Sequence, residues 1–319
     1  MPADLDKPHL WKADIARSVD MYNGWFMDFA PAAFRETRVK VTGEVETTLC
    51  RTENLTDLNP TLLREHPGVL PTLRMSACPP IAVDRLVGLA GVSKTLVARM
   101  EAGKLPRRMG LAALNADLER IGAIIARMAD RDIFTWLDSG RDGTAAEVHR
   151  AATIVADRLT NADANPIIRN AQEQRQLAAI GAWLERRGYH RLPQGVRYDA
   201  MPPGTYSFRL NVPVKPGGGA STVNIPVDAA VMPLSAHPPA LPLMIEAKSA
   251  GDFTNTNKRR KEEAQKANQL RQTHGNSVRF ILFLCGYFDS GYLGYEAAEG
   301  IDWVWEHRIN DLAQFGISP

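Results

Sequence analysis

The stretch from Asn224 to Lys248 constrains the fold of this chain most strongly, because it reads as two β-strands joined by a proline-rich connection. Successive side chains of a strand alternate between its two faces. We therefore expect Glu246 and Lys248 on one face of the second strand, and Ile245 and Ala247 on the other. An acid and an amine at the end of an apolar strand are costly to bury unless they share a task.

Asp228, at the end of the first strand, supplies a second carboxylate beside this pair. Two carboxylates, together with phosphate oxygens and water, suit Mg²⁺, which prefers oxygen ligands in near-octahedral geometry. Lys248 beside such an ion is placed to orient and polarise an attacking water. Together these groups predict metal-assisted hydrolysis of a phosphodiester. The alternative is a structural ion pair of Glu246 and Lys248 on an edge strand, which gives Asp228 no part.

The triplets Pro226-Val227-Asp228 and Glu246-Ala247-Lys248 resemble the PD-(D/E)XK nuclease motif, with Val227 inserted between the proline and the aspartate. The run that follows, from Ser249 to Glu263, is similar to type II restriction endonucleases, and above all to the XamI-like family. Residues 21–38 near the N-terminus resemble the same family, so the likeness extends over most of the chain.

The resemblance implies Mg²⁺-dependent cleavage of double-stranded DNA that leaves 5′-phosphate and 3′-hydroxyl ends, with Mn²⁺ as a substitute ion. It implies that Asp228, Glu246 and the Ala247 carbonyl hold the metal. Lys248 would then activate water or stabilise charge in the transition state. In this family a carboxylate on the first helix of the core often supports the metal site, and Glu173 is the first candidate, with Glu185 as the alternative.

Periodicity alone predicts the same core from Asn165 onward. The expected order is helix, three strands, helix, strand, at residues 165–188, 205–214, up to 228, 241–248, 256–273 and 278–285. Gly217-Gly218-Gly219 is expected to connect the first two strands as a hairpin. Residues 292–319 are expected to add a strand and a closing helix. The predicted fold class is α/β (α+β), a restriction-endonuclease-like core of a mixed sheet flanked by helices.

The N-terminal part is expected to be mainly helical. Residues 1–160 are predicted to form a DNA-recognition or dimerisation domain, and residues 161–319 the catalytic domain. Residues 9–30 have the apolar spacing of an amphipathic helix that Pro31 ends or kinks. Further helices are expected at residues 111–137 and 144–160.

Residues 82–103 predict a helix-turn-helix-like segment, in which Gly91 makes the turn and Ser93 caps the second helix. The residues expected to face inward are Val92, Val97 and Met100, and those expected to face outward are Ser93, Lys94, Thr95 and Arg99. The pattern resembles phage-repressor-type regulators, whose second helix enters the major groove of DNA. An ordinary helical hairpin with a solvated polar face is the alternative.

A second group of DNA contacts is predicted at the start of the helix that follows the Glu246 strand. Its members are Asn255, Thr256, Asn257, Lys258 and Arg259. Neutral hydrogen-bonding groups followed by cations suit a phosphate backbone, and asparagine also reaches base edges.

The composition is that of a globular protein, with 45% hydrophobic and 23% charged residues and a net charge of +2. With so small a net charge, nucleic-acid binding must come from local basic patches. The three cysteines, Cys50, Cys78 and Cys285, have no zinc-site spacing and indicate reduced thiols. No signal peptide or membrane span is expected, so the protein is expected in the bacterial cytoplasm.

These observations predict a type II site-specific restriction endonuclease. A C2 homodimer is expected, because one active site per strand of a palindromic target requires two-fold symmetry. A cognate DNA methyltransferase would be a functional partner, not a physical one. Two alternatives remain: a PD-(D/E)XK nuclease of repair or recombination, and a helix-turn-helix regulator with an inactive nuclease-like module.

Overall fold

Helices dominate the first half of the chain, and a β-sheet dominates the second. The computed structural model describes residues 2–215, 221–237, 240–253 and 256–317, and only the backbone of residues 256–259. The helices before the sheet are α1 (Pro8–Arg51), α2 (Pro60–Glu65), α3 (Leu70–Met75), α4 (Val83–Ala90), α5 (Lys94–Glu101), α6 (Leu111–Met128), α7 (Trp136–Ser139) and α8 (Ala145–Glu185). In the described part of the chain, no helix is both long enough and apolar enough to cross a bilayer.

The described strands form one mixed sheet of six strands in the order β1 to β6. The elements after α8 are β1 (His190–Arg191), β2 (Thr205–Val214), β3 (Val223–Met232), β4 (Leu243–Ala250), α9 (Thr256–His274), β5 (Phe280–Gly286), α10 (Ser290–Ala298) and β6 (Asp302–Trp305). The β2–β3 and β3–β4 pairs are antiparallel, whereas the β1–β2, β4–β5 and β5–β6 pairs are parallel. The predicted order of helix, three strands, helix and strand is confirmed, but the strand expected to end at Asp228 continues to Met232. The predicted hairpin glycines lie outside the described residues.

Both faces of the sheet are covered by helices, which is why β4 and β5 read as apolar runs. On one face, Trp183 and its neighbours on α8 pack against Ile245 of β4 and Phe283 of β5. On the other face, Leu270 of α9 belongs to the same apolar cluster as Met244 of β4. The alternation predicted for β4 is confirmed, so Glu246 and Lys248 share the face that α9 covers.

The β2–β3 ribbon exchanges its two faces near Arg209 and Asp228. Tyr206 and Leu210 are four residues apart on β2, so regular alternation would place both on one face. Tyr206 packs on the α8 side, whereas Leu210 packs on the α9 side. The register pairs Phe208 with Ala229 and Leu210 with Val227, and leaves Arg209 and Asp228 unpaired between them. Arg209 has a φ of 54°, a left-handed conformation that is rare in a strand.

The chain divides into two compact units. One comprises residues 30–168, and its core is built from helices; the other comprises residues 1–29 and 169–319 and contains the sheet. The sequence prediction grouped residues 1–29 with the helical part, but these residues contact the C-terminal part instead. The carboxylate of Asp302 accepts hydrogen bonds from the backbone N–H groups of Ala3, Asp4 and Leu5, which fixes the N-terminus on β6.

Two prolines lie inside long helices, so α1 does not end at Pro31 and α8 does not begin at Asn165. Pro31 lies within α1, which continues to Arg51, and Pro166 lies within α8. A helical proline leaves the carbonyl four residues earlier without its usual N–H partner. In both helices the residue that carries this carbonyl, Met27 or Ala162, is exposed, so water can satisfy the carbonyl and the helix can continue.

Two predicted helix ends also differ from the structure. The helix expected over residues 111–137 ends at Met128, and a separate short helix follows at α7. At the C-terminus, the expected strand is β6, and the closing helix is a 3₁₀ helix at Glu306–Phe315. Local signals define helix existence better than helix ends.

Candidate active site

Strands β3 and β4 diverge at Asp228, and the carboxylate of Asp228 lies between them. Their backbone pairing ends at Ala229 and Ile245. Beyond that pair, Asp228 Oδ2 accepts a hydrogen bond of 2.8 Å from the backbone N–H of Ala247. A side-chain oxygen therefore takes the place that a strand carbonyl would hold, and it fixes the Asp228 carboxylate beside the backbone of β4.

Glu246 lies next to this carboxylate and is bound by two lysines. Its Oε1 accepts a hydrogen bond of 2.9 Å from Lys248 Nζ, and its Oε2 accepts one from Lys266 Nζ on α9. Glu246 is 7% exposed, so two cations offset the cost of burying its charge. Strand alternation predicts that Glu246 and Lys248 share a face, but nothing in the sequence singles out Lys266.

Lys248 also faces a second carboxylate, on α9. Glu263 Oε1 lies 3.9 Å from Lys248 Nζ, and Glu263 is 2% exposed. Glu263 Oε2 accepts a hydrogen bond from the hydroxyl of Tyr292 on α10. The ammonium of Lys248 is thus placed between two carboxylates from different elements.

Burial and charge set the protonation of these groups. Burial, followed by the charge of Glu246, raises the pKa of Asp228 to about 6, although Lys248 and the Ala247 N–H act in the opposite direction. Burial disfavours the ammonium form of Lys248, but the carboxylates of Glu246 and Glu263 outweigh it and raise its pKa. Near neutral pH, Lys248 is therefore a cation held against acidic side chains.

The site opens into a cleft of about 300 Å³, lined by Ile225, Pro226, Glu246, Lys248, Glu262, Glu263, Gln265, Lys266 and Gln269. Burial and, after it, the charge of Glu246 raise the pKa of Asp228, and a divalent cation would favour the ionised form of both carboxylates. Within the described ranges, no group of three or more His, Cys, Asp or Glu side chains is placed to hold a metal. A Mg²⁺ ion would therefore need Asp228, Glu246, the Ala247 carbonyl and solvent or substrate oxygens, all of which are hard ligands.

The two candidate helical carboxylates on α8 have other partners. Glu173 Oε1 accepts a hydrogen bond of 2.8 Å from Arg209, the left-handed residue of β2. Glu185 accepts one of 2.7 Å from the Tyr206 hydroxyl. Among the contacts of the described residues, none joins either glutamate to Asp228 or Glu246. Glu173 is thus paired with Arg209 at the unpaired position of β2, and Glu185 supports β2 through Tyr206.

The backbone of the active strand is anchored from α8 by a residue that the sequence analysis missed. The side-chain amide of Gln176, which is 1% exposed, donates to the carbonyls of Lys248 and Phe283 at 3.4 and 3.3 Å. It therefore joins β4 to β5 beneath the site. The signal in the sequence was a glutamine at an apolar helical position, between Gln172 and Ile180.

The helix-turn-helix-like segment has the predicted secondary structure. Gly91 is left-handed with a φ of 61° and ends α4, and the Ser93 hydroxyl caps α5 by accepting from the Leu96 N–H at 3.1 Å. The residues that face inward are Val92, Val97 and Met100; the residues that are exposed are Ser93, Lys94, Thr95 and Arg99. Lys94 forms a 3.0 Å ion pair with Asp84.

The predicted DNA-contact group at the start of α9 is described only in part. The helix begins at Thr256, as expected. Asn255 lies outside the described residues, and so do the side chains of Thr256, Asn257, Lys258 and Arg259. Their proposed contacts with DNA stay a prediction.

Comparison with known proteins gives two matches that agree with this geometry. A sequence model of the XamI restriction endonuclease family matches residues 53–305. The type II restriction enzyme SalI of Streptomyces albus G is 53% identical over 315 residues, which cover 98% of this chain and 99% of that enzyme. No solved structure matches the chain significantly.

Proposed function

This chain belongs to the XamI restriction endonuclease family, and on that basis we propose that it cuts double-stranded DNA at a specific sequence with Mg²⁺, leaving 5′-phosphate and 3′-hydroxyl ends. Membership makes it a type II site-specific deoxyribonuclease; the ion and the product ends are the proposed part. The observation that carries the proposal is the meeting of Asp228, Glu246 and Lys248 where β3 and β4 diverge.

Each group of the site has a distinct role in this proposal. Asp228, Glu246 and the Ala247 carbonyl would hold Mg²⁺, or Mn²⁺ in its place, and the bound ion would neutralise charge on the scissile phosphate. The ammonium of Lys248 would orient the attacking water and stabilise the negative charge that develops on the phosphate. Glu173, through Arg209, would stabilise the distorted strand position opposite Asp228.

Sequence recognition is assigned to two groups of residues. The exposed face of α5, with Ser93, Lys94, Thr95 and Arg99, is proposed to contact DNA, and so is the segment with Asn255, Thr256, Asn257, Lys258 and Arg259. Exposed hydroxyl, amide and basic groups supply both phosphate and base-edge contacts. A homodimer is proposed because two matched sites cut the two strands of a palindrome, and a cognate methyltransferase would protect host DNA.

Digestion of plasmid DNA of known sequence tests the proposal. The wild-type protein with Mg²⁺ should give discrete fragments, EDTA should abolish them, and sequencing of the fragment ends should reveal one target. A smear of products would favour a nuclease of repair or recombination. A mobility shift without any Mg²⁺-dependent cleavage would favour a DNA-binding regulator. Cleavage at the wild-type rate by Lys248→Ala would refute the assigned site.

A further inference from the structure

We propose that Glu263 is a positioning residue for the cleavage reaction, and that it acts as a second counter-charge that keeps the Lys248 ammonium in the cleft. This inference rests on the proposed function, because it assigns a task to Lys248 in the same site. The family motif does not include Glu263, and the motif residues alone give no reason for a buried acid at this position.

The geometry around Glu263 is that of a fixed counter-charge. Tyr292 donates its hydroxyl hydrogen to Glu263 Oε2, which orients the carboxylate. The other oxygen, Oε1, is buried and lies 3.9 Å from Lys248 Nζ. The Lys248 ammonium therefore lies within ion-pair distance of a buried carboxylate that other side chains hold in place.

The neighbouring Glu296 limits the negative charge at this position. Burial, followed by the charge of Glu263, raises the pKa of Glu296 to about 9, so Glu296 is protonated near neutral pH. Burial also raises the pKa of Glu263, whereas the Lys248 ammonium and the Tyr292 hydroxyl act in the opposite direction. Glu296 therefore adds no charge near neutral pH, and its hydrogen bond with Glu263 favours the ionised form of Glu263.

A second carboxylate matters because Glu246 is both the partner of the Lys248 ammonium and a proposed ligand of the metal ion. With Glu246 as the sole partner, the Lys248 ammonium would compete with a metal ion for the same carboxylate. Glu263, on α9, is a second carboxylate within ion-pair distance of the ammonium. Lys248 then remains charged and directed at the cleft when the metal takes the oxygens of Glu246.

A double-mutant cycle under single-turnover conditions tests this role. Glu263→Gln keeps the shape of the side chain and removes its charge, and we expect about a 10- to 100-fold lower cleavage rate. DNA affinity without divalent ions, measured by mobility shift, should change less than about twofold because binding rests on other contacts. Tyr292→Phe should lower the rate less, and the double variant should be no slower than Glu263→Gln.

The second arm of the cycle uses Lys248→Met. If Glu263 acts through Lys248, adding Glu263→Gln to this variant should lower its residual rate no further. If Glu263→Gln lowers the cleavage rate by the same factor in the wild type and in Lys248→Met, the inference is overturned. Cleavage by Glu263→Gln at the wild-type rate would also overturn it. An inactive Lys248→Met beside an unaffected Glu263→Gln refutes this inference alone, whereas an unaffected Lys248→Met refutes the proposed site itself.

Asp14→Asn is the matched control for damage to the fold. Asp14 is also a buried acid of the same unit, and it is paired with Arg308 at 2.8 Å. Its substitution should lower the melting temperature and leave the cleavage rate at 20 °C unchanged. A rate loss in this control as large as that of Glu263→Gln would show general damage and overturn the positioning role.

Discussion

The carboxylate of Asp228 accepts a hydrogen bond from the Ala247 N–H at the point where the backbone pairing of β3 and β4 has already ended. One side chain therefore joins the two strands that carry the acidic groups of the site. The contact orients Asp228 before any ion or DNA is present, and preorganisation of this kind is a requirement of efficient catalysis. Asp228 thus has a structural task, the hydrogen bond to the Ala247 N–H, and a proposed chemical task, the binding of the metal ion.

Asp228→Asn should separate these tasks. The amide oxygen of asparagine can still accept from the Ala247 N–H, so we expect a folded protein with normal DNA affinity. The loss of a proposed metal ligand should lower turnover by more than about 100-fold. Single-turnover cleavage and mobility shift measure the two quantities. Asp199→Asn, at an exposed acid paired with Arg197, is the control and should retain full activity.

The same substitution should stabilise the protein at high pH when no divalent ion is present. The pKa of Asp228 is raised from its ordinary value of 3.8 to about 6, mainly by burial. The folded state therefore binds a proton more tightly than the unfolded state, and stability falls as pH rises from about 4 to about 6. At pH 8 in EDTA, the free energy of unfolding of Asp228→Asn should be about 1 to 3 kcal/mol higher than that of the wild type. Urea titrations at pH 8 and pH 4 check this; an equal gain at both values would contradict it.

Lys266→Met should expose competition between an ammonium and the metal for Glu246. Without divalent ions, the loss of one partner of this buried carboxylate should cost about 1 to 3 kcal/mol of stability. With Mg²⁺, the variant should gain more in melting temperature than wild type, because the ion displaces one ammonium and not two. Lys261→Met, at an exposed position on the same helix, is the control. A wild-type melting temperature in EDTA would mean that the Lys266–Glu246 pair contributes nothing.

Arg99→Ala should weaken DNA binding if the exposed face of α5 contacts DNA. The cost should be about 1 to 3 kcal/mol if Arg99 reads a base, with relaxed specificity at one position. If Arg99 contacts a phosphate, the slope of log affinity against log salt should fall by about one. Arg127→Ala, at an exposed basic residue on α6, serves as the control. Equal behaviour of the two variants would identify the segment as an ordinary helical hairpin.

Gly122→Ala should destabilise the helical unit although alanine is the better helix former. A Cβ at this buried position would overlap the backbone carbonyl oxygen of Leu58, which cannot move freely. We expect a loss of about 1 to 3 kcal/mol. Gly88→Ala in α4 has no atom within 4 Å of the added Cβ and should gain about 0.5 to 1 kcal/mol. Urea unfolding of both variants measures the contrast, and similar effects would disprove the tight contact.

The elements around the site could be predicted because their sequence signals are strong and local. The apolar run of β5 and the Gly91 and Ser93 signals identify their elements almost to the residue. Strand alternation also predicted that Glu246 and Lys248 share one face. Those features depend on neighbours in sequence, which a reader of the sequence can see.

The remaining features depend on contacts between distant residues. Lys266 is one basic residue among many on a polar helix, and only the packing of α9 on the sheet brings it to Glu246. Glu173 had the right helix and the right charge, but it is paired with Arg209. Pro31 failed as a stop signal because a local penalty of about 3 kcal/mol is small beside the packing of a 44-residue helix.

The exchange of faces at Arg209 and Asp228 has a consequence for the motif itself. Odd-numbered residues before the exchange, such as Val227, face α9, whereas even-numbered residues after it, such as Ala230, do so. Asp228 lies at the point of exchange, where its carboxylate reaches the β4 backbone beside Glu246 although Val227 separates it from Pro226. The number of residues between the proline and the aspartate of this motif is therefore not fixed. A pattern search that demands adjacent proline and aspartate would miss enzymes built in this way, and one that tolerates a single inserted residue would find them.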